Sequence, residues 1–284
     1  MKSFEDIAAA MGNLPTLPTV VSRVLRVVED TDSSADDLVA IIQNDQAIAG
    51  KVLKVANSAY YGLRRQVKSI GHAVVLLGFE TVRNLCLGIG VFRSFLPYGL
   101  HQQLDVERFW EHTIATAICA RMIWKDQSRD GQEEVFLCGL IHDIGRLAFL
   151  AGDPRGYSAM IRKARRTATP MVTIEQDAFG GTHAELGAML CERWSFNAEL
   201  QEPIRHHHDL AACDEVHADR TAGVMLGNYL SHERRVGWAV DTAVAEMPVD
   251  ALKRLEMTRE QAEGLGDRLE HRRAEIESFT AAFM

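Results

Sequence analysis

FLCGLIHDIGRLAFL, residues Phe136 to Leu150, is apolar on nearly every side and reads as a helix running through the core of a folded protein. It also carries His142 and Asp143 side by side at its centre. An ionised carboxylate in an apolar helix is costly unless a cation or strong donors meet it, so a partner charge or a metal ion is expected beside the pair. On two residues alone, a core histidine hydrogen-bonded to the neighbouring aspartate is an equal reading. The placement of the other histidines separates the two.

The surrounding chain has the composition of a globular protein. Of its 284 residues 47% are hydrophobic and 25% charged, which excludes a mostly disordered chain. That length allows one large domain or two abutting subdomains. No uninterrupted apolar run reaches the roughly 20 residues of a membrane span. The opening MKSFEDIAAAMG is too acidic and amphipathic for a signal peptide, so a cytoplasmic protein with no membrane partner is expected. A formal net charge of -8 argues against a broad nucleic-acid surface, and the local basic run Arg162, Lys163, Arg165 and Arg166 reads as a solvated helix face. Cys86, Cys119, Cys138, Cys191 and Cys213 form no CxxC pair and read as reduced residues, four of them in apolar helices.

Toward the N-terminus the pattern is helix after short helix. A short amphipathic helix precedes LPTLP, Leu14 to Pro18, whose prolines exclude helix and lead into Thr19 to Glu29 with Val20, Val21, Val24, Leu25 and Val28 on one stripe. Ser34 with Asp37 forms a capping arrangement, Asp45 caps a helix through Val55, and Ser69 caps one through Leu77 that ends at Gly78. NSAYYGLRRQ, Asn57 to Gln66, breaks the periodicity, and a longer helix from about Glu80 to Phe95 runs up to an elbow near Pro97 to Gly99. Asp45, Asn57 and Ser58 are read as caps and turns in preference to ligands.

Toward the C-terminus lie the histidines. His112 sits within RFWEHTIATAICARMIW, His142 within the central stretch, His183 at the first turn of a helix that Thr182 can cap, and His206, His207 and His208 in EPIRHHHDL. Taken singly, His112 or His183 reads as a satisfied core residue. Jointly, imidazoles and one carboxylate from four helices form the kind of set that holds iron, manganese, zinc or nickel, if they converge. Beyond them, Pro248, a capping box from Thr258 to Gln261 and EGLGDRLEHRRAEIESFTAAF read as C-terminal helices packing back on the body.

LPTLP, then IIQNDQAIAGKVLKVANSAYYG, then SIGHAVVLLGFETVRNL resembles the first part of the HDOD family, bacterial output modules related to HD-type phosphohydrolases. His112, GLIHDIG, GTHAELGAMLCERW and the paired histidines are similar in order to the histidine set of the HD superfamily. The resemblance covers about residues 14 to 240. It implies ligand positions for one or two metal ions at His112, His142, Asp143, His183, His207 and His208, with His206 at a position that is usually not a ligand. The chain departs from the pattern at Asp45-Gln46, where the family commonly has Asp-Pro. It departs again at the late aspartate of active HD enzymes, where Asn228 is the expected counterpart. It also lacks the Gly-Tyr-Pro of the cyclic-di-nucleotide phosphodiesterase branch. Arg146 stands where that branch has a phosphate-facing lysine, and reads either as a phosphate fork or as a partner for Asp143.

The expectation is an all-α, two-lobed helical bundle of HD-domain, phosphodiesterase-like type. Its parts are an N-terminal lobe over 1–97, an HD-like bundle over 98–240 and C-terminal helices over 241–284. By resemblance it is a regulatory module of bacterial signal transduction that acts through protein contacts, non-catalytic or weakly catalytic. No sensor or receiver segment is recognised in the sequence, so the signal is expected to arrive by another molecule. The competing expectations are a metal-dependent phosphohydrolase acting on a nucleotide or other phosphoester, with Asp143 and Arg146 as candidate catalytic residues, and an inherited hydrogen-bonded histidine core without metal.

Overall fold

The structure is a computed structural model that describes residues 2–9, 16–29, 34–100, 104–237 and 246–284. Every regular element among them is helical, as the periodicity predicts. The chain divides into two compact units, Thr16–Pro97 with Arg273–Met284, and Tyr98–Arg272 with Met1–Pro15.

The first of these units contains α2 (Thr19–Glu29), α3 (Ala35–Gln43), α4 (Gln46–Ala56), α5 (Ile70–Leu77), α6 (Phe79–Phe95) and α17 (Arg273–Phe283). Its helix starts are written in the sequence. Ser34 and Asp37 cap α3 reciprocally, and the Ser69 hydroxyl accepts from the His72 amide. Asp45 accepts from the amides of Ala47 and Ile48 at 3.0 Å each, so the α4 cap survives without the family's proline. Arg93 reaches the same carboxylate at 3.2 Å. The Asn57 side chain donates to the carbonyls of Leu53 and Val67 and accepts from the Val67 amide, which pins the irregular loop that follows it. These contacts give Asp45 and Asn57 their structural roles. In α17, Phe279 packs edge-on against Tyr60, 5.4 Å between ring centroids. Of LPTLP, Leu14 and Pro15 lie outside the described residues.

The second unit holds α1 (Phe4–Ala9), α7 (Val106–Asp126), α8 (Gln132–Ile141), α9 (Ile144–Gly152), α10 (Pro154–Thr167), α11 (Met171–Phe179), α12 (His183–Arg193), α13 (Ala198–His206), α14 (Ala218–Glu233), α15 (Val249–Arg254) and α16 (Arg259–His271). The central stretch differs from expectation. It is two helices, with the break at His142 and Asp143, where Asp143 leaves helical geometry at φ -96 and ψ 10. Both residues can then face inward together, which a continuous helix turning about 100° per residue does not favour. The 21 residues from Gln132 to Gly152 have the length and composition of a membrane span, but 89% of their apolar window is buried within the fold. The stretch is the core of a folded protein.

Two glycines let its neighbours come close. A Cβ on Gly139 would stand 2.7 Å from Ala117 Cα in α7, and one on Gly145 would collide with the His183 carbonyl and lie 2.7 Å from the Gly187 amide in α12. The backbones that carry His142–Asp143, His112 and His183 are thereby drawn together. The basic residues of α10 are exposed, while Tyr157, Ile161 and Ala164 on its other face are buried. All five cysteines are free thiols, and four are buried.

Candidate metal centre

The unit formed around α7 to α16 brings five imidazoles and a carboxylate into one cluster. His112 comes from α7, His142 and Asp143 from the break between α8 and α9, His183 from the first turn of α12, and His207 and His208 from the end of α13. The ligand atoms of His112, His142 and Asp143 lie within 4.8 Å of one another, and those of His183, His207 and His208 do the same. Asp143 joins the two groups, its Oδ1 standing 3.1 Å from His183 Nε2 and 3.7 Å from His207 Nε2. His206 stays outside, 3.3 Å from Glu202.

Four of the rings are held by the nitrogen that faces away from the cluster. Nδ1 of His142 lies 2.7 Å from the Gly139 carbonyl, and Nδ1 of His207 lies 2.7 Å from the Ile204 carbonyl. A carbonyl only accepts, so both rings carry their proton on Nδ1 and keep a lone pair on Nε2. His112 Nδ1 lies 3.3 Å from Ser231 Oγ, whose hydroxyl donates to the Asn228 carbonyl, so His112 is the donor there as well. His183 Nδ1 lies 2.5 Å from Glu175 Oε2. Nε2 of His112 and Nε2 of His142 are buried with no hydrogen-bond partner. Such bare acceptors cost about 1–3 kcal/mol each in a core. They are what a cation would satisfy, and imidazoles anchored through the opposite nitrogen are the usual form of metal-ligating histidine. The donor set therefore fits a transition-metal ion, with His112, His142 and Asp143 available on one side and His183, His207 and His208 on the other.

The electrostatics agree with this chemistry. Burial pushes His112 down to about 3 and His142 down to about 4, with Asp143 opposing both shifts, so both rings are neutral near pH 7. Burial lowers His207 too. Asp143 is held well below the usual carboxylate range. Burial works against its ionisation, but Arg146, His142, His183 and His207 outweigh it. His183 is the exception. Burial and Arg146 would lower it, yet the Glu175 and Asp143 carboxylates on either side raise it to about 9. Without a metal ion, His183 is an imidazolium that donates from Nδ1 to Glu175 and from Nε2 to Asp143.

Arg146 is 2% exposed, and its Nε lies 2.9 Å from Asp143 Oδ1. Of its two readings, the contact is that of a partner for Asp143. Asn228 is half-buried on α14 and meets this network through its carbonyl. The α14 side chain that touches a cluster ring is Ser231, which also lies 2.9 Å from Thr116 Oγ1. His208 is the exposed member of the cluster, and it stands at the wall of a cavity of about 570 Å³ lined by Thr173, Gln176, Asp177, Arg205 and His206 among others.

Sequence reasoning missed the residues that hold the rings. Glu175 is buried in α11, and its other carboxylate oxygen accepts from the Tyr157 hydroxyl at 2.5 Å. Its signal was readable, because Met171, Ile174, Glu175 and Phe179 share the apolar face of α11, where an acid is out of place. Ser231 gave no such signal.

An HDOD domain family model matches residues 14–210. An uncharacterized protein of Treponema pallidum (strain Nichols) is 30% identical over 231 residues, which cover 78% of this chain and 43% of that protein, so the chain spans less than half of that relative's length. Among solved structures, an HDOD domain protein of unknown function from Geobacter sulfurreducens superposes with a TM-score of 0.79 at 23% identity, covering 98% of this chain and 97% of the other. A protein provisionally classed in signal transduction from Marinobacter aquaeolei VT8 superposes with a TM-score of 0.81 at 24% identity, covering all of this chain and 62% of the other. At such identities the structures speak to the fold. With the family match over most of its length and a buried His–Asp cluster inside an all-helical fold, the chain belongs to the HDOD family.

Proposed function

We propose that this protein is a regulatory module of bacterial signal transduction that works through protein contacts and carries an HD-type metal centre, with hydrolytic activity that is weak or absent. The observation that carries the metal reading is the anchoring of four rings through Nδ1, with the Nε2 atoms of His112 and His142 left bare in the core. A divalent ion such as iron, manganese, zinc or nickel would supply Lewis-acid activation of water and neutralise phosphoryl charge there.

Two features argue for weak turnover. Among the described residues the two candidate ligand groups contain one carboxylate, Asp143, and the buried Arg146 already faces it. A guanidinium beside the anionic ligand competes with a cation for the same charge. The regulatory reading also draws on the Marinobacter protein's classification, and on the surface of α5. There Val75 is 80% and Leu76 44% exposed, apolar side chains that a partner protein would cover. A cytoplasmic location goes with this reading.

The cavity beside His208 favours a second reading, a metal-dependent phosphohydrolase acting on a nucleotide or other phosphoester. Its volume is that of a small-ligand site, and it reaches the cluster at its exposed member. One experiment separates the readings: metal analysis of protein purified without chelator, followed by a screen of phosphomonoesters and phosphodiesters. Bound metal with negligible turnover supports the regulatory module. Metal-dependent turnover abolished by Asp143→Ala establishes the hydrolase, and protein that neither retains nor takes up metal defeats both.

A further inference from the structure

We propose that Glu175 is a positioning residue of the metal centre: from α11 it fixes His183 through Nδ1 and supplies a second negative charge to a centre whose α14 contributes none. This rests on the metal-centre reading above. The family resemblance assigns Glu175 no role, and none of the six matched ligand positions includes it.

Three donors converge on its two oxygens. The His183 amide lies 2.9 Å and His183 Nδ1 2.5 Å from Oε2, and the Tyr157 hydroxyl lies 2.5 Å from Oε1. The amide can only donate, and the ring and the hydroxyl join it as donors to an ionised carboxylate, the state that burial opposes and that His183, Arg146 and Tyr157 favour. A proton on Nδ1 leaves Nε2 as the atom that faces Asp143, His207 and His208, at 3.1, 3.3 and 3.0 Å respectively. A carboxylate behind a ligating imidazole fixes its tautomer and raises its basicity. The expected ligand on α14 is instead the neutral Asn228, and α14 reaches the cluster with the hydroxyl of Ser231. Glu175 makes good that charge from the opposite side of His183.

A purely architectural role competes with this one, because the same carboxylate also receives the first amide of α12. Glu175→Gln separates the two. The amide keeps an acceptor oxygen for His183 and a polar group for Tyr157, and removes only the charge. The test is calorimetric titration of the chelator-treated full chain with Mn(II) and with Zn(II), together with thermal melts. The expected result is metal binding about 10–100-fold weaker in Glu175→Gln, in a variant that still melts cooperatively, with the metal-free melting temperature lowered because the buried His183 ring loses the charge of one of its two carboxylates. Equal affinity in folded Glu175→Gln overturns the proposal and leaves the metal-centre reading standing. A parent protein that binds neither metal overturns that reading first. If Glu175→Gln does not fold, nitrogen-15 spectra of the histidine rings in the parent decide. Metal addition should shift His183 Nε2 and leave a proton on Nδ1, whereas a proton kept on Nε2 at saturation overturns the proposal.

Discussion

Asp143 is where the two candidate ligand groups meet, and the consequence of removing it follows from its neighbours. Asp143→Ala takes from the buried Arg146 guanidinium the carboxylate that lies 2.9 Å from its Nε, and breaking a buried pair from one side costs about 3–5 kcal/mol. Denaturant melts of metal-free protein should show a loss of that size, and a loss below about 1 kcal/mol would exclude the pairing. The histidines set the pH dependence. His112 and His142, at about 3 and about 4 when folded, refuse protons that the unfolded chain accepts below about 6.5, so their contribution is complete above that value and falls with acid. His183, at about 9, has the opposite sign: its contribution is complete below about 6.5 and is lost as pH rises through about 9. In chelator, the melting temperature should therefore peak near pH 6.5 and fall on both sides, and a profile flat from pH 5 to 9 would contradict the assignment. The six clustered residues were legible through their resemblance in order to the HD histidine set, because spacing by itself does not show that four helices converge. Tyr157 and Ser231 were not, because they act behind the rings and no sequence spacing ties them to the cluster, whereas Glu175 was marked only as an acid out of place on the apolar face of α11.

At the scale of elements, the break at His142–Asp143 is what turns a core helix into a site. Gly145 follows directly, and its missing side chain admits the His183 carbonyl and the Gly187 amide. Gly145→Ala should therefore destabilise by at least the 1–3 kcal/mol usual for overpacking, since backbone on both sides leaves little room to yield. It should also weaken metal binding by moving α12, and a variant with parental melting temperature and metal content would refute this. Helix starts were the most legible feature: Ser34–Asp37, Asp45, Ser69, Thr182 and Thr258 all cap the helices their chemistry predicts. The break was not, because both halves of the stretch are apolar all round and periodicity has no phase to lose there.

For the whole molecule, the proposed regulatory role makes the exposed end of α5 the first surface to probe. Val75→Glu with Leu76→Glu should change stability by no more than about 0.5 kcal/mol each, as surface substitutions usually do, while abolishing partner-dependent signalling in cells. Unchanged signalling in that variant would move the contact elsewhere. The fold class was legible because helical periodicity recurs along the chain. What a partner looks like was not, because an exposed valine has no sequence signature that separates it from a buried one. The buried thiols have a use of their own. Burial drives Cys86, Cys119 and Cys138 up to about 12 and Cys191 higher still, so near neutrality they are almost wholly unreactive until the chain opens. The protein thus carries its own clocks for local opening, with Cys138 on α8 and Cys191 on α12 timing the helices that carry the histidines and Cys86 on α6 timing the other unit. Cys213, partly exposed, should be the first to alkylate. A cation that binds only the folded cluster should slow the clocks at Cys138 and Cys191 and leave that at Cys86 running at its former rate.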